Sequence, residues 1–461
     1  MSAWLVALML TAGETPVPAE PAASPEVSDV EVEPEPDLAP PDLKSLQEEL
    51  AATRQRLNTL EEKQTFLSRL SGRFSGYLDF GFFVVEGNGS GVRKDLSHTQ
   101  KAYAGKVLGS WVLLGDPLST AINSRGEPAD IGDSRAIRFD EIHAGGHPSF
   151  IANAFNLGVS ANFDDFTFDA SIDFVPRDRD TTDPRGLFLG DFFDLKLAYL
   201  HYEKELGKLW FALYAGKFES VLGVEYRNEE SPDRIGITPS LTCRYTCGRP
   251  LGLKGKIGLF DRQFEAWVSV TNGTQQTDLF PFFNQTDFNN FKTVSGRLQV
   301  TIPIGNKGIE LSASGAIGAE DRQHDDSVLQ WHYGFAAIAN IGDFIASAEF
   351  VTGRANGKDD NSGSGVKCGV AACLFYRGAY GQLAWRANKF LVPYARVDWR
   401  SATHQFGVQY VYASDVVRGT FGLRADVTSF LIVKAEYVLN TETGPVSFPD
   451  NVFTTSLVVK Y

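Results

Sequence analysis

The sequence predicts an all-β protein whose main domain is a closed antiparallel barrel of membrane-spanning strands. Two observations support this prediction. From residue 74 to residue 461, segments of about ten residues alternate apolar with polar side chains, and turn-forming residues separate them. The connections between these segments are alternately short and long along the chain. Short turns at one rim and long loops at the other are typical of barrels in a bacterial outer membrane.

Two segments precede the barrel at the start of the chain. Residues 3–10 form a short apolar core, small residues follow at 11–13, and no Lys or Arg precedes the core. We interpret residues 1–13 as a secretory signal peptide, with a frayed apolar terminus as the alternative. Residues 14–42 are rich in Glu, Asp, Pro and Ala and have no periodic apolar face. That composition predicts a disordered acidic linker.

A heptad repeat follows the linker over residues 43–70. With Leu43 taken as position a, six of the eight a and d positions are Leu, and most other positions are charged or polar. This pattern predicts a short coiled coil, on the periplasmic side of the barrel. Because an isolated helix of this length is marginal in water, we expect the coiled coil to oligomerise or to contact periplasmic partners or peptidoglycan. A single amphipathic helix packed on the barrel is the alternative.

Each strand segment separates an apolar face from a polar face. In FTFDASIDF, Phe166 and Phe168 alternate with Thr167 and Asp169, and the last segment, VFTTSLVVKY, alternates in the same way up to Tyr461. Counting such segments gives about 18 strands, with 16 as the alternative because one connection is long for a periplasmic turn. The predicted strands span residues 74–85, 106–114, 135–144, 152–163, 165–175, 193–204, 208–218, 250–260, 262–271, 292–303, 308–317, 328–340, 342–352, 374–386, 388–399, 417–426, 429–439 and 452–461.

The polar faces carry full charges at mid-strand, a pattern that the outside of a soluble sandwich also allows. The alternation of loop lengths and the aromatic residues near strand ends favour a membrane setting. No stretch approaches 18 consecutive apolar residues, so we expect no membrane helix. In lipid, the strand pattern then requires a closed barrel, which satisfies every backbone group. The aromatic residues assigned to the membrane interfaces are Trp210, Tyr214, Phe218, Trp331, Tyr333, Trp385 and Trp399.

A barrel of this size encloses a water-filled channel unless loops plug it, and charges on its inner face then set its selectivity. The loops at 176–192 and 219–249 are the segments that we expect to fold inward. The predicted basic lining consists of Lys217, Lys254, Lys256, Arg297, Arg396, Arg400, Arg424 and Lys434. The predicted acidic lining consists of Asp79, Asp169, Asp173, Glu219, Glu265, Glu310, Glu349, Asp398, Asp426 and Glu436.

Two interpretations of these inward charges stay open. Opposed charges across a wet constriction would orient dipolar solutes and admit ions of both signs. Alternatively, neighbouring charges only pair with each other, as Arg424 with Asp426 and Lys434 with Glu436, because charges in a membrane wall need partners in any case.

Four cysteines lie in two predicted extracellular loops. Cys243 and Cys247 share one loop, and Cys368 and Cys373 share another. An oxidising setting favours two local disulfides, although the sequence alone does not fix the pairing. A zinc site is disfavoured because the C-x3-C and C-x4-C spacings differ from the usual C-x2-C.

Enzymatic function is not expected from this sequence. The seven His residues are scattered, and no nucleophile or acid–base motif accompanies them. GNGSG at 87–91 is expected to be a flexible loop rather than a phosphate loop, because no helix follows it. The acidic residues 359–361 are expected to form a solvated loop rather than a calcium site. We therefore expect no catalytic residues, no cofactor, no bound metal and no nucleic-acid partner.

One local motif resembles a known family. YAGKFESVLGVEY at 214–226 is similar to the pattern G-K/R-F-x-x-x-x-G-x-E of the phosphate-selective porins and the related porin-2 barrels, in which an inward loop follows the strand. The matching positions here are Gly216, Lys217, Phe218, Gly223 and Glu225. The order of signal peptide, short coiled coil and porin-sized barrel with an aromatic last residue also resembles these families.

The resemblance implies an outer-membrane porin of a Gram-negative bacterium, through which small hydrophilic solutes or ions diffuse passively. It implies that the strand ending at Tyr461 is the signal recognised during barrel assembly. Because acids and bases are mixed on the inner face, phosphate specificity does not follow. We expect a homo-oligomer, a trimer first, in contact with outer-membrane lipid. The alternatives are a barrel component of a multiprotein machine for polysaccharide or protein export, surface motility or adhesion, and a structural tie to the cell wall.

Overall fold

The structure is a computed structural model of the 461-residue chain. It describes residues 52–57, 73–85, 111–114, 148–163, 165–174, 193–272, 290–305, 307–319, 329–355, 373–406, 410–442 and 451–461. The chain divides into residues 1–64 and residues 65–461. In the first unit, residues 52–57 are helical. Among the described residues, no helix has the length and apolar character needed to cross a membrane.

The predicted signal peptide and linker lie outside the described residues. The coiled coil over 43–70 stays a prediction, because only its short helical stretch at 52–57 is described.

In the part of the second unit that the structure describes, there are strands and two short helical turns. The turns are a 3-10 helix at Glu225–Asn228 and one α-helical turn at Cys243–Thr246. The strands are β1 Arg73–Val85, β2 Trp111–Leu114, β3 Ser149–Phe163, β4 Phe166–Phe174, β5 Phe193–Leu206, β6 Leu209–Lys217, β7 Leu251–Leu259, β8 Phe264–Thr271, β9 Thr293–Ile304, β10 Lys307–Ala319, β11 Leu329–Ile341, β12 Phe344–Ala355, β13 Cys373–Trp385, β14 Leu391–Phe406, β15 Tyr410–Asp426, β16 Leu431–Glu442 and β17 Val452–Lys460.

Antiparallel pairing closes all of these strands except β2 into a barrel of 16 strands. From β3 to β17, each strand pairs with the next one in the chain, and β1 pairs with both β3 and β17. The last residue belongs to this closure, because the Tyr461 N–H donates a 3.2 Å hydrogen bond to the carbonyl of Gly76. Closure leaves no free sheet edge, which lipid could not satisfy.

The observed count is 16, the alternative count of the sequence analysis, and two additional predicted strands are not part of the wall. At 106–114, only β2 is described as a strand, and it pairs in parallel with the start of β15. The segment at 135–144 lies outside the described residues. Because β1 already has β17 on one edge and β3 on the other, no strand fits between β1 and β3.

The barrel is apolar outside and polar inside, which distinguishes it from a soluble sandwich. On β7, the side chain of Leu253 is 64% exposed, whereas the neighbouring Lys254 is only 6% exposed. The terminal strand β17 shows the same alternation: Phe453, Leu457 and Val459 are exposed, and Thr454 and Ser456 are buried. An exposed apolar band around charged inner side chains is the arrangement that a lipid surrounding requires.

The interface assignment of the aromatic residues needs a correction. Tyr333 and Trp385 lie on the outer face as predicted, with 45% and 47% exposure. In contrast, Trp210 and Phe218 are buried; the ring of Phe218 contacts the inward Lys254, and that of Trp210 contacts Arg262 in the turn between β7 and β8. Aromatic residues near strand ends therefore lie on both the outer and the inner face of the barrel. The strand register decides which face each of them occupies.

Tight turns join the strands at one rim. The turns between β5 and β6, β9 and β10, and β11 and β12 each contain a glycine with positive φ: Gly207 at 64°, Gly305 at 62° and Gly342 at 54°. Glycine adopts this backbone conformation without the steric cost that a Cβ would add. The loop between β6 and β7 leaves from the opposite rim and is long.

Candidate functional site: the barrel interior and its inward loop

Residues 218–250 connect β6 to β7 and fold into the barrel; we call this segment the inward loop. Two backbone hydrogen bonds join its ends, from Phe218 N–H to Pro250 at 3.2 Å and from Ser220 N–H to Gly248 at 3.0 Å. Its apolar side chains are almost fully buried, as for Leu222, and charged wall residues bind its backbone. The sequence predicted an inward loop at 219–249; the other predicted inward loop, 176–192, lies outside the described residues.

Strand β16 holds the middle of the inward loop by backbone recognition. The ammonium of Lys434 donates to the carbonyls of Ser231 and Arg234, both at 2.6 Å, and to that of Gly236 at 3.0 Å. The carboxylate of Glu436 accepts from the N–H of Ile237 at 2.7 Å. Lys434 thus binds backbone carbonyls and Glu436 binds a backbone N–H of the same loop segment. Such charge-assisted hydrogen bonds are stronger than those between neutral groups.

Strand β14 continues this contact along the loop. Arg396 donates to the carbonyls of Thr238 at 2.8 Å and Pro239 at 3.0 Å. It also forms a 2.8 Å ion pair with Asp398, which accepts from the N–H of Leu241 at 3.1 Å. Because both members of this buried pair also bind the loop, removal of either one would leave the other charge only partly compensated.

Strands β9, β10 and β12 hold the first part of the loop. Arg227 of the loop pairs with Glu310 on β10 at 2.7 Å, and Arg297 on β9 shares the same carboxylate at 2.9 Å. Arg297 also donates to the carbonyl of Gly223. On β12, Glu349 accepts from the N–H of Val224 at 2.7 Å.

Strands β1 and β5 contact the loop through Glu230. Its carboxylate accepts from the hydroxyl of Tyr77 at 2.5 Å and pairs with Lys196 at 2.6 Å and, more loosely, with Arg249 at 3.4 Å. Burial by itself would raise the pKa of the Glu230 carboxyl, but the charges of Lys196 and Arg249 outweigh burial and lower this pKa to about 2. For the adjacent Glu229, burial dominates and raises the pKa above its ordinary value.

Strand β13 holds the loop through aromatic stacking. The ring of Tyr245 lies parallel to that of Tyr376, with centroids 3.5 Å apart, and the hydroxyl of Tyr376 is 2.9 Å from Nδ1 of His332. Beside Tyr245, Cys243 and Cys247 form a disulfide, as the sequence predicted. The second predicted pair cannot be assessed, because Cys368 lies outside the described residues.

The predicted lining residues divide into two groups by position. One group forms hydrogen bonds directly with the inward loop beyond residue 219: Asp79, Arg297, Glu310, Glu349, Arg396, Asp398, Arg424, Lys434 and Glu436. The other group lies elsewhere on the inner face, at its ends or at the base of the loop: Asp169, Asp173, Lys217, Glu219, Lys254, Lys256, Glu265, Arg400 and Asp426.

Simple pairing of neighbouring charges holds for one of the two proposed pairs. Arg424 and Asp426 form an ion pair at 2.8 Å. Lys434 and Glu436 instead bind different groups of the inward loop. Sequence reasoning missed Tyr77, Lys196 and Glu230, because their role depends on where the loop crosses the barrel.

The inner face of β6 to β8 carries cations over aromatic rings. Nζ of Lys254 lies 4.7 Å from the ring centroid of Tyr214 and 4.4 Å from that of Phe218. Nζ of Lys256 lies 4.8 Å from the centroid of Tyr214 and 4.0 Å from that of Trp267. These distances are within the range of cation–π attraction, so the rings hold both ammonium groups in place.

A closed barrel with a polar interior and a loop folded into it defines an outer-membrane channel protein as the class. A family profile described as "Putative beta-barrel porin-2, OmpL-like" matches residues 146–459, and the chain belongs to this family. The family and the fold place the protein in the outer membrane of a Gram-negative bacterium. A comparison with curated protein sequences gives no match.

Several solved structures of outer-membrane proteins are similar to this chain at low sequence identity. OmpF of Salmonella typhi, solved in complex with daunomycin, has a TM-score of 0.50 and 9% identity, covering 85% of this chain and 97% of that chain. The outer membrane channel DcaP of Acinetobacter baumannii has a TM-score of 0.47 and 12% identity, covering 85% of this chain and 97% of that chain. A loop L8 deletion mutant of OmpT from Vibrio cholerae has a TM-score of 0.48 and 11% identity, covering 85% of this chain and 99% of that chain.

Proposed function

We propose that the protein is a passive channel for small hydrophilic solutes or ions. The main support is the partial exposure of charged side chains that face the inside of the barrel. The side chain of Asp169, on β4, is 27% exposed, and that of His201, on β5, is 19% exposed. Oδ2 of Asp169 lies 3.6 Å from Nδ1 of His201. Because the outer face is apolar, water reaches such groups through the lumen, beside the inward loop.

The position of the inward loop is compatible with a narrowed passage. Its charged contacts concentrate on β9 to β16, with a further contact at β1 and β5. On the inner face near β6 to β8, Glu219, Lys256 and Glu265 are partly exposed, whereas Lys254 and Trp267 are buried. A constriction lined by charges of both signs acts on solutes by charge and dipole, without chemical conversion. We accordingly infer that the protein is not an enzyme.

We also propose that the protein is a homotrimer. The predicted coiled coil at 43–70 supports an oligomer, because its apolar a and d positions need a partner helix. Chemical crosslinking of the full mature chain, compared with a chain that lacks residues 43–70, would show whether this segment contributes to the assembly.

The test is conductance of the purified mature protein in planar lipid bilayers. A passive channel should give steady open current steps, and a trimer should close in three equal steps. A folded, heat-modifiable protein that stays silent would contradict passive diffusion. That result would favour the alternative, a barrel that works only within a multiprotein outer-membrane machine.

A further inference from the structure

Two lysines on β7 have no carboxylate partner at contact distance. Within the described part of the chain, no carboxylate oxygen lies within 4.0 Å of Nζ of Lys254 or Lys256. Lys254 donates one 3.3 Å hydrogen bond, to the backbone carbonyl of Glu219, and otherwise contacts rings. Nζ of Lys256 lies over the rings of Tyr214 and Trp267.

Two carboxylates lie close to these lysines without pairing with them. Glu219, in the inward loop, and Glu265, on β8, both act electrostatically on the Lys256 ammonium. Glu265 accepts a 2.9 Å hydrogen bond from the indole of Trp267, which turns its carboxylate toward the ring. Among the described groups, neither carboxylate forms an ion pair. We call Glu219, Lys254, Lys256 and Glu265 the dipolar subsite.

The aromatic rings explain why these opposite charges stay apart. The faces of Tyr214 and Trp267 attract the ammonium groups and so compete with direct contact to the carboxylates. The nearby guanidinium groups of Arg227 and Arg297 point to a third carboxylate, that of Glu310, at 2.7 Å and 2.9 Å. Lys256, Glu219 and Glu265 are partly exposed and so keep their capacity to bind an incoming charged group, while the buried Lys254 adds its positive charge to the same face.

The chemistry of the subsite selects a solute that carries both charges. A simple anion would gain attraction from the lysines but repulsion from the two glutamates, and a simple cation would meet the reverse. A small zwitterion can place its carboxylate at the lysines and its ammonium at the glutamates. We propose that the dipolar subsite binds and orients small zwitterionic solutes, of the size and charge separation of an amino acid. This inference rests on the proposed function, because it assumes that solutes pass through the lumen.

Liposome swelling with two isomeric solutes tests the proposal. β-Alanine is a zwitterion, and lactamide is a neutral molecule with the same atoms. We expect wild-type channels to pass β-alanine faster than lactamide, by roughly two- to five-fold, as weak ion pairs allow. The paired variants Lys254→Gln with Lys256→Gln, and Glu219→Gln with Glu265→Gln, should each bring this ratio toward one while lactamide still enters. Heat-modifiability on gels would establish that each variant is folded.

Lys389→Gln is the matched control. Lys389 also lies over an aromatic ring, 4.7 Å from the centroid of Phe390, but it is exposed in the turn that precedes β14. The ratio of β-alanine entry to lactamide entry should be the same for Lys389→Gln as for the wild type. A wild-type ratio of one, or a ratio that both paired variants preserve, would overturn the dipolar subsite while leaving the channel intact. No swelling with either solute would overturn the proposed function and this inference with it.

Discussion

The carboxylate of Glu436, on β16, accepts a 2.7 Å hydrogen bond from the backbone N–H of Ile237, in the middle of the inward loop. The same carboxylate accepts the hydroxyl of Tyr394 at 2.5 Å and a second loop N–H, from Thr238, at 3.2 Å. One side chain of the wall thus links the loop to two strands. The loop is fixed by recognition of its backbone, and this determines how wide a passage remains.

Glu436→Gln should loosen the inward loop. The amide keeps one acceptor oxygen and loses the charge, and each charge-assisted hydrogen bond contributes about 1.5–3 kcal/mol. We expect a lower unfolding temperature and larger fluctuations of the open-channel current. Glu205→Gln is the control, because Glu205 is exposed at the rim and pairs only loosely with Arg262, at 3.3 Å. Equal behaviour of the two variants would argue against Glu436 as an anchor.

Acid should weaken the contact that Glu230 makes with β1 and β5. Its pKa is lowered from 4.5 to about 2, so its stabilising contribution is complete above pH 4.5 and is lost as the pH falls toward 2. The raised pKa of Glu229 acts in the opposite direction, because protonation of that carboxyl favours the folded loop. Unfolding midpoints at pH 7, 4.5 and 2 should therefore fall more steeply in the wild type than in Glu230→Gln. Parallel pH profiles would contradict this role of Glu230.

The strands and their faces were predictable because the sidedness of a strand is local. Residues such as Phe453, Leu457 and Val459 alternate with polar neighbours, so period two places them on one face, and the membrane setting makes that face the outer one. Strand pairing is not local. The segments at 106–114 and 135–144 look like strands, but the wall is decided by the two edges of β1, which β3 and β17 already occupy.

The contacts of the inward loop were predictable only in part. Its length and the motif at 214–226 indicated a loop that folds inward. The partners of Lys434 and Glu436 could not be inferred, because the loop offers backbone carbonyls and N–H groups that no residue type reveals. Trp267 likewise gives no sign in the sequence that it orients Lys256.

An arginine on the outer face should destabilise the barrel. Leu253 is the most exposed of the β7 side chains, at 64%, and is the third of the nine residues of β7, next to the inward Lys254. Leu253→Arg should cost about 1–3 kcal/mol of unfolding free energy in liposomes, between the cost of a cation near the membrane interface and its cost at the bilayer midplane. Leu253→Ala, which removes the side chain without adding a charge, should cost much less. Equal costs would mean that this face does not contact lipid.

Gly76→Ala should impair closure of the barrel. A Cβ at residue 76 would lie 2.3 Å from the carbonyl oxygen of Asn156 and 2.6 Å from the hydroxyl of Tyr461, so the junction of β1, β3 and β17 would have to shift. We expect a lower yield of folded, heat-modifiable protein. Gly381→Ala is the control, because a Cβ there meets no atom within 4 Å. A normal yield of Gly76→Ala would show that this junction tolerates a wider spacing.

Solutes are proposed to pass beside the inward loop, next to the partly exposed side chains of Glu219, Lys256 and Glu265. Lys256→Cys, exposed to an anionic, membrane-impermeant thiosulfonate during a bilayer recording, tests this claim directly. We predict a stepwise fall in open-channel current, because the label adds a charged group in the passage. The wild type and Lys389→Cys should keep their current. An unchanged current in Lys256→Cys, with labelling established by mass spectrometry, would show that solutes do not pass next to residue 256.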